Sequence, residues 1–211
     1  MPTDDKSAKN VRSAMFNLPN QLTSLRLLLS VVMFGFITQD CYLTSFVLFV
    51  IAAGTDWLDG YYARKYGQVT TLGRILDPFA DKVIVCGTFI FLVADPTMHC
   101  VPGGLRAWIV VVVVGRELLV TALRSFIEDR GSDFSAKMSG KLKMVLQCIA
   151  AGTCLFYLYR YEGKTPPHRI SDCMSDWVWW ILVVSVWSSV VLTVYSGLVY
   201  IRAAVRLLRE D

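Results

Sequence analysis

Four aspartates stand in otherwise apolar sequence: Asp56 and Asp59, then Asp77 and Asp81. An aspartate in the middle of a membrane-spanning helix costs roughly 2.5–3.5 kcal/mol on insertion scales. A single one reads as a snorkelling charge or half of a buried ion pair. Four so close together do not, because the nearby cations in sequence are only Arg64, Arg74 and Lys82. Carboxylates crowded in a low dielectric repel one another and protonate. Divalent metal removes that problem, and an all-oxygen donor set suits Mg²⁺, Mn²⁺ or Ca²⁺ better than zinc or copper. Four carboxylates suffice for two ions around a phosphoryl group.

The spacing brings them together. On a helix, Asp56, Asp59, Gly60, Ala63 and Arg64 share one face, as do Gly73, Asp77 and Asp81. The two stretches read as consecutive antiparallel helices joined by a short loop, with the inner aspartates roughly 6–8 Å from it by helix rise. Gly60, Ala63 and Gly73 let a ligand approach the backbone. Each also fits close helix packing in lipid, but all three share faces with the aspartates.

These helices belong to an apolar chain. More than half of its 211 residues are hydrophobic, and runs such as Trp108–Gly115 and Trp177–Val194 exceed what a soluble core needs. The fold class expected is an all-α integral membrane protein. Six transmembrane helices fit the hydropathy: roughly Leu22–Thr38, Tyr42–Ala63, Ile75–Ala94, Leu105–Phe126, Lys141–Tyr159 and Trp177–Ala203. Residues 1–21 form a cytoplasmic N-terminal segment, whose stretch Val11–Asn20 suits either a short interfacial helix or a plain tail. Residues 22–211 form one membrane domain. Met1–Asn17 is polar and has no apolar core of a cleaved signal peptide.

Lysine and arginine set the orientation. Lys6, Lys9 and Arg12, then Arg64, Lys65 and Arg74, then Arg124, Arg130, Lys137, Lys141 and Lys143, then Arg202, Arg206 and Arg209 fall on one side. The first loop, Gln39–Cys41, and the third, Asp95–Gly104, carry none. The fifth breaks the pattern with Arg160, Lys164 and Arg169. The expectation is N-in and C-in, in the cell (inner) membrane, with the aspartates facing the cytoplasm. The net charge of +4 is small, and no nucleic-acid partner is expected. The six cysteines include no CxxC pair, which disfavours zinc or redox chemistry. Cys41, Cys100 and Cys173 fall in the outer loops, where a disulfide stays open.

Asp56-Trp-Leu-Asp59-Gly60-Tyr-Tyr-Ala63-Arg64, eight residues, Gly73, three residues, Asp77, three residues and Asp81 resembles the signature of the CDP-alcohol phosphatidyltransferase family at every fixed position. Such a match arises by chance on the order of 10⁻¹⁰ per start position at ordinary residue usage. The resemblance implies a metal-dependent exchange in a polar cavity at the cytoplasmic membrane boundary, with release of CMP. By the same resemblance Asp56, Asp59, Asp77 and Asp81 hold Mg²⁺ or Mn²⁺, as two ions, and Asp81 accepts the proton of the alcohol. Gly60, Ala63, Arg64, Thr70 and Gly73 resemble the cradle of the cytidine diphosphate. Asn20 and Thr23 resemble the stretch that touches the CDP-lipid. A homodimer is also implied.

Asn17–Arg26, Asp77–Lys82, Gly115-Arg-Glu-Leu and Gly140-Lys-Leu-Lys with Gln147 are similar to the bacterial branch that makes phosphatidylglycerophosphate. That branch implies CDP-diacylglycerol and glycerol 3-phosphate as substrates, within membrane lipid. An acceptor phosphate calls for charge-assisted donors, and Arg116, Arg124, Lys137 and Lys141 are the candidates. Arg116 follows apolar Val110–Gly115; it also suits pairing with Glu117. Lys137 and Lys141 equally suit plain positive-inside charges.

Phosphatidylglycerol, inositol phosphate or serine as acceptor leaves the chemistry unchanged. A divalent-cation transporter is the rival of another class. It needs carboxylates through the membrane depth, yet Tyr42–Ala53 and Val83–Ala94 carry none.

Overall fold

In a computed structural model of the chain, every regular element among the described residues is helical. The structure describes residues 18–66, 71–129, 138–164 and 173–210, with backbone alone at 18–20, 56–66, 71–75, 77, 126–129, 138–141 and 207–210. The helices are α1 (Leu18–Ile37), α2 (Tyr42–Tyr66), α3 (Thr71–Ala94), α4 (Pro96–Cys100), α5 (Ala107–Asp129), α6 (Met138–Arg160) and α7 (Trp177–Glu210). The six long ones coincide with the six apolar stretches and mostly overrun them. Lys65 and Tyr66 extend α2, and a hydropathy window does not register such residues at a helix end. Val11–Asn17 of the expected interfacial segment lies outside the described residues, and Leu18–Asn20 already belong to α1.

Beside an apolar core, large apolar side chains also cover the outside while several polar ones are buried. Val111, Leu28, Val31 and Val191 are each at least 64% exposed, while Arg26, Ser30, Ser45 and Thr193 are 1% exposed or less. In water this would strand apolar surface; in a bilayer it puts methyl groups against acyl chains. Among the described residues two segments, Leu142–Arg160 and Trp177–Arg206, are long and apolar enough to cross a membrane, and shorter apolar lengths run over Gln21–Ile37 and Tyr42–Thr55.

The chain forms two compact units, residues 1–87 and 88–211. In the first, α1 packs on α2 through a tight connection. Asp40 takes a left-handed backbone there, φ 58°, a conformation aspartate tolerates better than most residues. Its carboxylate accepts a 2.7 Å hydrogen bond from the Tyr42 hydroxyl. Gly87 of α3 lies against Phe34 of α1 so closely that a Cβ at Gly87 would overlap the Phe34 ring.

In the second unit, α7 packs on both α5 and α6. Its loops are tied by side chains that replace water at backbone groups. Asp95 is buried and caps α4 by accepting from the Thr97 amide at 2.7 Å. Asp176 accepts from the Val178 amide at the start of α7 and from the Tyr161 hydroxyl past the end of α6, with Arg160 at 3.7 Å. The indoles of Trp179 and Trp187 donate to the Pro102 and Gly103 carbonyls at 2.9 and 3.0 Å.

Two sequence expectations change here. The third loop contains the five-residue helix α4, and α5 begins at Ala107. Arg106 therefore belongs to that loop, where it donates to the His99 and Val101 carbonyls, so the loop is not free of cations. The six cysteines, all among the described residues, form no disulfide, and Cys173 is buried.

Gly87→Ala should lower the detergent-state melting temperature by an amount equivalent to about 1–3 kcal/mol of overpacking. Adding Phe34→Leu to the same chain should restore most of it. A Gly87→Ala protein as stable as the wild type would show that the helices do not meet there.

Candidate active site

The signature residues fall on two continuous helices, with only residues 67–70 between them. Asp56 stands ten residues before Tyr66, the last of α2; Asp81 stands ten residues after Thr71, the first of α3. Asp59 and Asp77 lie seven and six residues from the same ends. At about 1.5 Å per residue these are depths of about 15 Å for the outer pair and about 10 Å for the inner pair. The match in depth agrees with the sequence reading. The depths themselves are about 3 Å greater, because each helix runs two residues further toward the loop than the sequence reading placed its end. Pro78 sits inside α3 beside Asp77 and takes away the amide that would bond the Arg74 carbonyl.

Of the four aspartates, Asp81 has a described side chain, and it reveals a partner. Arg26 of α1 donates from Nη1 to Asp81 Oδ1 at 2.7 Å, across 55 residues of sequence. Arg26 is 1% exposed and Asp81 27%. The sequence reading counts Arg64, Arg74 and Lys82 as the local cations and gives Arg26 no role. A lone arginine near one end of an apolar stretch looks like an interfacial charge, and no local spacing points to Asp81. A signal exists all the same: Thr23, Arg26 and Ser30, at i, i+3 and i+7, form a polar stripe on one face of α1, and all three are buried. Ser30 donates to the Arg26 carbonyl at 2.8 Å.

Among the residues expected to cradle the CDP-lipid, Thr23 is buried. Asn20 lies on the first turn of α1, Gly60, Ala63 and Arg64 on the last turns of α2, and Gly73 on the first turn of α3. Thr70 lies outside the described residues. Among the described residues no three ligating side chains form a metal-binding group; the side chains of Asp56, Asp59 and Asp77 are not among them.

The acceptor candidates belong to the second unit. Arg116 on α5 donates to Glu117 at 3.3 Å and to the Ser196 hydroxyl of α7, and its guanidinium lies 5.9 Å from the centre of the Tyr200 ring. The pairing with Glu117 that the sequence left open is thus present. Glu117 is shared: Lys143 of α6 also donates to Glu117 Oε1. All three side chains are largely buried, and they carry two positive charges to one negative. Lys143 was expected only as an inside-facing charge. Its signal was Gln147 one turn on, which is also buried and donates to Thr193 of α7 at 3.4 Å. Arg124, also on α5, is exposed. Lys141 lies on the first turn of α6 and Lys137 outside the described residues.

Comparison with known proteins gives the class. Residues 16–195 match the family described as CDP-alcohol phosphatidyltransferase, and the chain belongs to that family of membrane enzymes. Among similar proteins is the CDP-diacylglycerol–glycerol-3-phosphate 3-phosphatidyltransferase of Bacillus subtilis, 34% identical over 88% of this chain and 94% of that one. The protein of the same name from Salmonella typhimurium is 31% identical over 90% and 95%. That from Haemophilus influenzae is 33% identical over 69% and 79%.

Glu117→Gln leaves Arg116 and Lys143 without their shared anion. It should destabilise the protein by about 3–5 kcal/mol, the usual cost of stranding a buried charge, read as a fall in detergent-state melting temperature. Adding Lys143→Met should recover a large part. Equal stability of Glu117→Gln and wild type would refute the shared pair.

Proposed function

We propose that the chain transfers the phosphatidyl group of CDP-diacylglycerol to sn-glycerol 3-phosphate, yielding phosphatidylglycerophosphate and CMP. The observation that carries this reading is the complete Asp56–Asp81 signature on two consecutive helices. The relatives that match most of the chain bear the name of that reaction. We read the six long helices as spans of the cell membrane, both termini cytoplasmic and the aspartate-bearing ends at the cytoplasmic boundary. The lysine and arginine placement supports that orientation, with Arg106 and the fifth loop as the exceptions.

The donor set at the signature fits hard divalent cations, since it offers carboxylate oxygen and neither imidazole nor thiolate. Asp56, Asp59, Asp77 and Asp81 would hold Mg²⁺ or Mn²⁺, two ions, which when bound neutralise the diphosphate and the departing CMP. Asp81 accepts the proton of the primary hydroxyl of glycerol 3-phosphate. The hydroxyl oxygen forms a bond to the lipid-side phosphorus, and the bond from that phosphorus to the CMP oxygen breaks. Its partial exposure leaves Asp81 open to an incoming alcohol. Gly60, Ala63 and Gly73 keep the α2 and α3 surfaces low for the cytidine diphosphate, with Asn20, Thr23, Arg64 and Thr70 as further contacts. The acyl chains stay in lipid. Arg116, with Lys143, Arg124, Lys137 and Lys141 as further cations, supplies positive charge for the acceptor phosphate.

The test is CMP release by the detergent-purified protein from CDP-diacylglycerol, with glycerol 3-phosphate, inositol 1-phosphate, serine or phosphatidylglycerol in turn. Release with glycerol 3-phosphate, abolished by EDTA and restored by Mg²⁺ or Mn²⁺, is expected. Release with another acceptor alone would replace the substrate and leave the chemistry. Asp81→Asn should lower turnover by roughly 10²-fold or more and leave CDP-diacylglycerol binding near the wild-type value. Normal turnover would remove Asp81 from the reaction.

A further inference from the structure

We infer that Arg26 is a positioning residue that holds the Asp81 carboxylate in its reactive orientation, an inference that rests on the proposed role of Asp81. The pair is lopsided. Arg26 is among the largest fully buried side chains described, whereas Asp81 is 27% exposed. A charge kept only for solubility or membrane orientation would do the reverse, since arginine has the length to snorkel out to water. Here the long cation turns inward and the short anion keeps its access.

The surroundings of Arg26 fix where its guanidinium can go. Leu25 and Leu28, flanking it on α1, are exposed apolar side chains, so the lipid side is closed to charge. Thr23 and Ser30 occupy the same buried face one turn before and one turn after. Nη1 meets Asp81 Oδ1 at 2.7 Å, the short separation of a charge-assisted bond. A planar guanidinium donates in fixed directions, which a lysine ammonium does not. It therefore restricts rotation of the carboxylate as well as compensating its charge. Asp81 is one turn beyond Asp77 on α3. Misplacing a catalytic group by about 1 Å costs on the order of 10²-fold in rate, and restraint of that group is the contribution assigned to Arg26.

The experiment compares Arg26→Met and Arg26→Lys with the wild type in the CMP-release assay. It reads kcat and KM for both substrates, together with CDP-diacylglycerol binding and the rise in melting temperature produced by Mn²⁺ alone. Arg26→Met should lose roughly 10²-fold in kcat, with KM for each substrate and the Mn²⁺ response close to wild type. Arg26→Lys should fall between the two. If Arg26→Met does not fold, Arg26→Lys decides: a lowered kcat at unchanged KM upholds the role. Wild-type kcat in either variant overturns it. A loss carried by KM for CDP-diacylglycerol or the acceptor also overturns it, because Arg26 would then be a substrate contact. A wild-type protein that turns over no acceptor overturns the proposed function, and this inference with it; a wild type that turns over while Arg26→Met keeps pace overturns the inference alone.

Discussion

Charge taken out of water must find counter-charge, and in this chain that requirement organises both units. In the first, one buried cation, Arg26, meets one of four closely spaced carboxylates. In the second, one carboxylate, Glu117, is shared by two buried cations. In the second cluster the excess of arginine and lysine over Glu117 suits a phosphate. Neither cluster is a simple stabilising device, because well-packed apolar side chains would serve stability as well or better.

The rest of the packing follows from the same rule applied to neutral groups. Hydroxyls facing the interior donate to carbonyls of the preceding turn: Ser30 to Arg26, Ser45 to Cys41 just ahead of α2, Ser185 to Leu182 and Ser189 to Val186. This satisfies a polar group without water and keeps the side chain compact, so helices can approach closely. Gly87 against Phe34 is the tightest such approach described. Where the chain leaves its helices, indoles and carboxylates take over, with Trp179 and Trp187 holding the 102–104 loop and Asp176 bracing the start of α7.

Much of this was legible in the sequence, because charge in an apolar run is conspicuous and helix rise converts spacing into depth. Asp56 through Asp81 announced themselves that way. So did the six long helices, apart from their ends, where Lys65, Tyr66 and the arginines of the last turns hide a helix from hydropathy. Other features were invisible for physical reasons. Arg26 and Asp81 are 55 residues apart, and nothing local to either names the other. Lys143 resembled every other inside-facing lysine until a buried Glu117 lay beside it. The helix at Pro96–Cys100 is too short to show a period and depends on its Asp95 cap.

The first unit also distinguishes an enzyme from an ion path by where its polar side chains stop. On α1 the buried face runs Thr23, Arg26, Ser30 and then Met33 and Ile37. On α3, within this unit, it passes from Asp81 to Ile84 and Val85. On α2 the half away from the aspartates buries Tyr42, Ser45, Phe49 and Ala52 and has no ionisable carboxylate. A conducting pathway needs stations through the depth of the membrane. Here the charged positions end about halfway along each helix, and buried apolar side chains follow. Such a distribution keeps the charged positions to one half of each helix, as the proposed transfer at a membrane boundary requires.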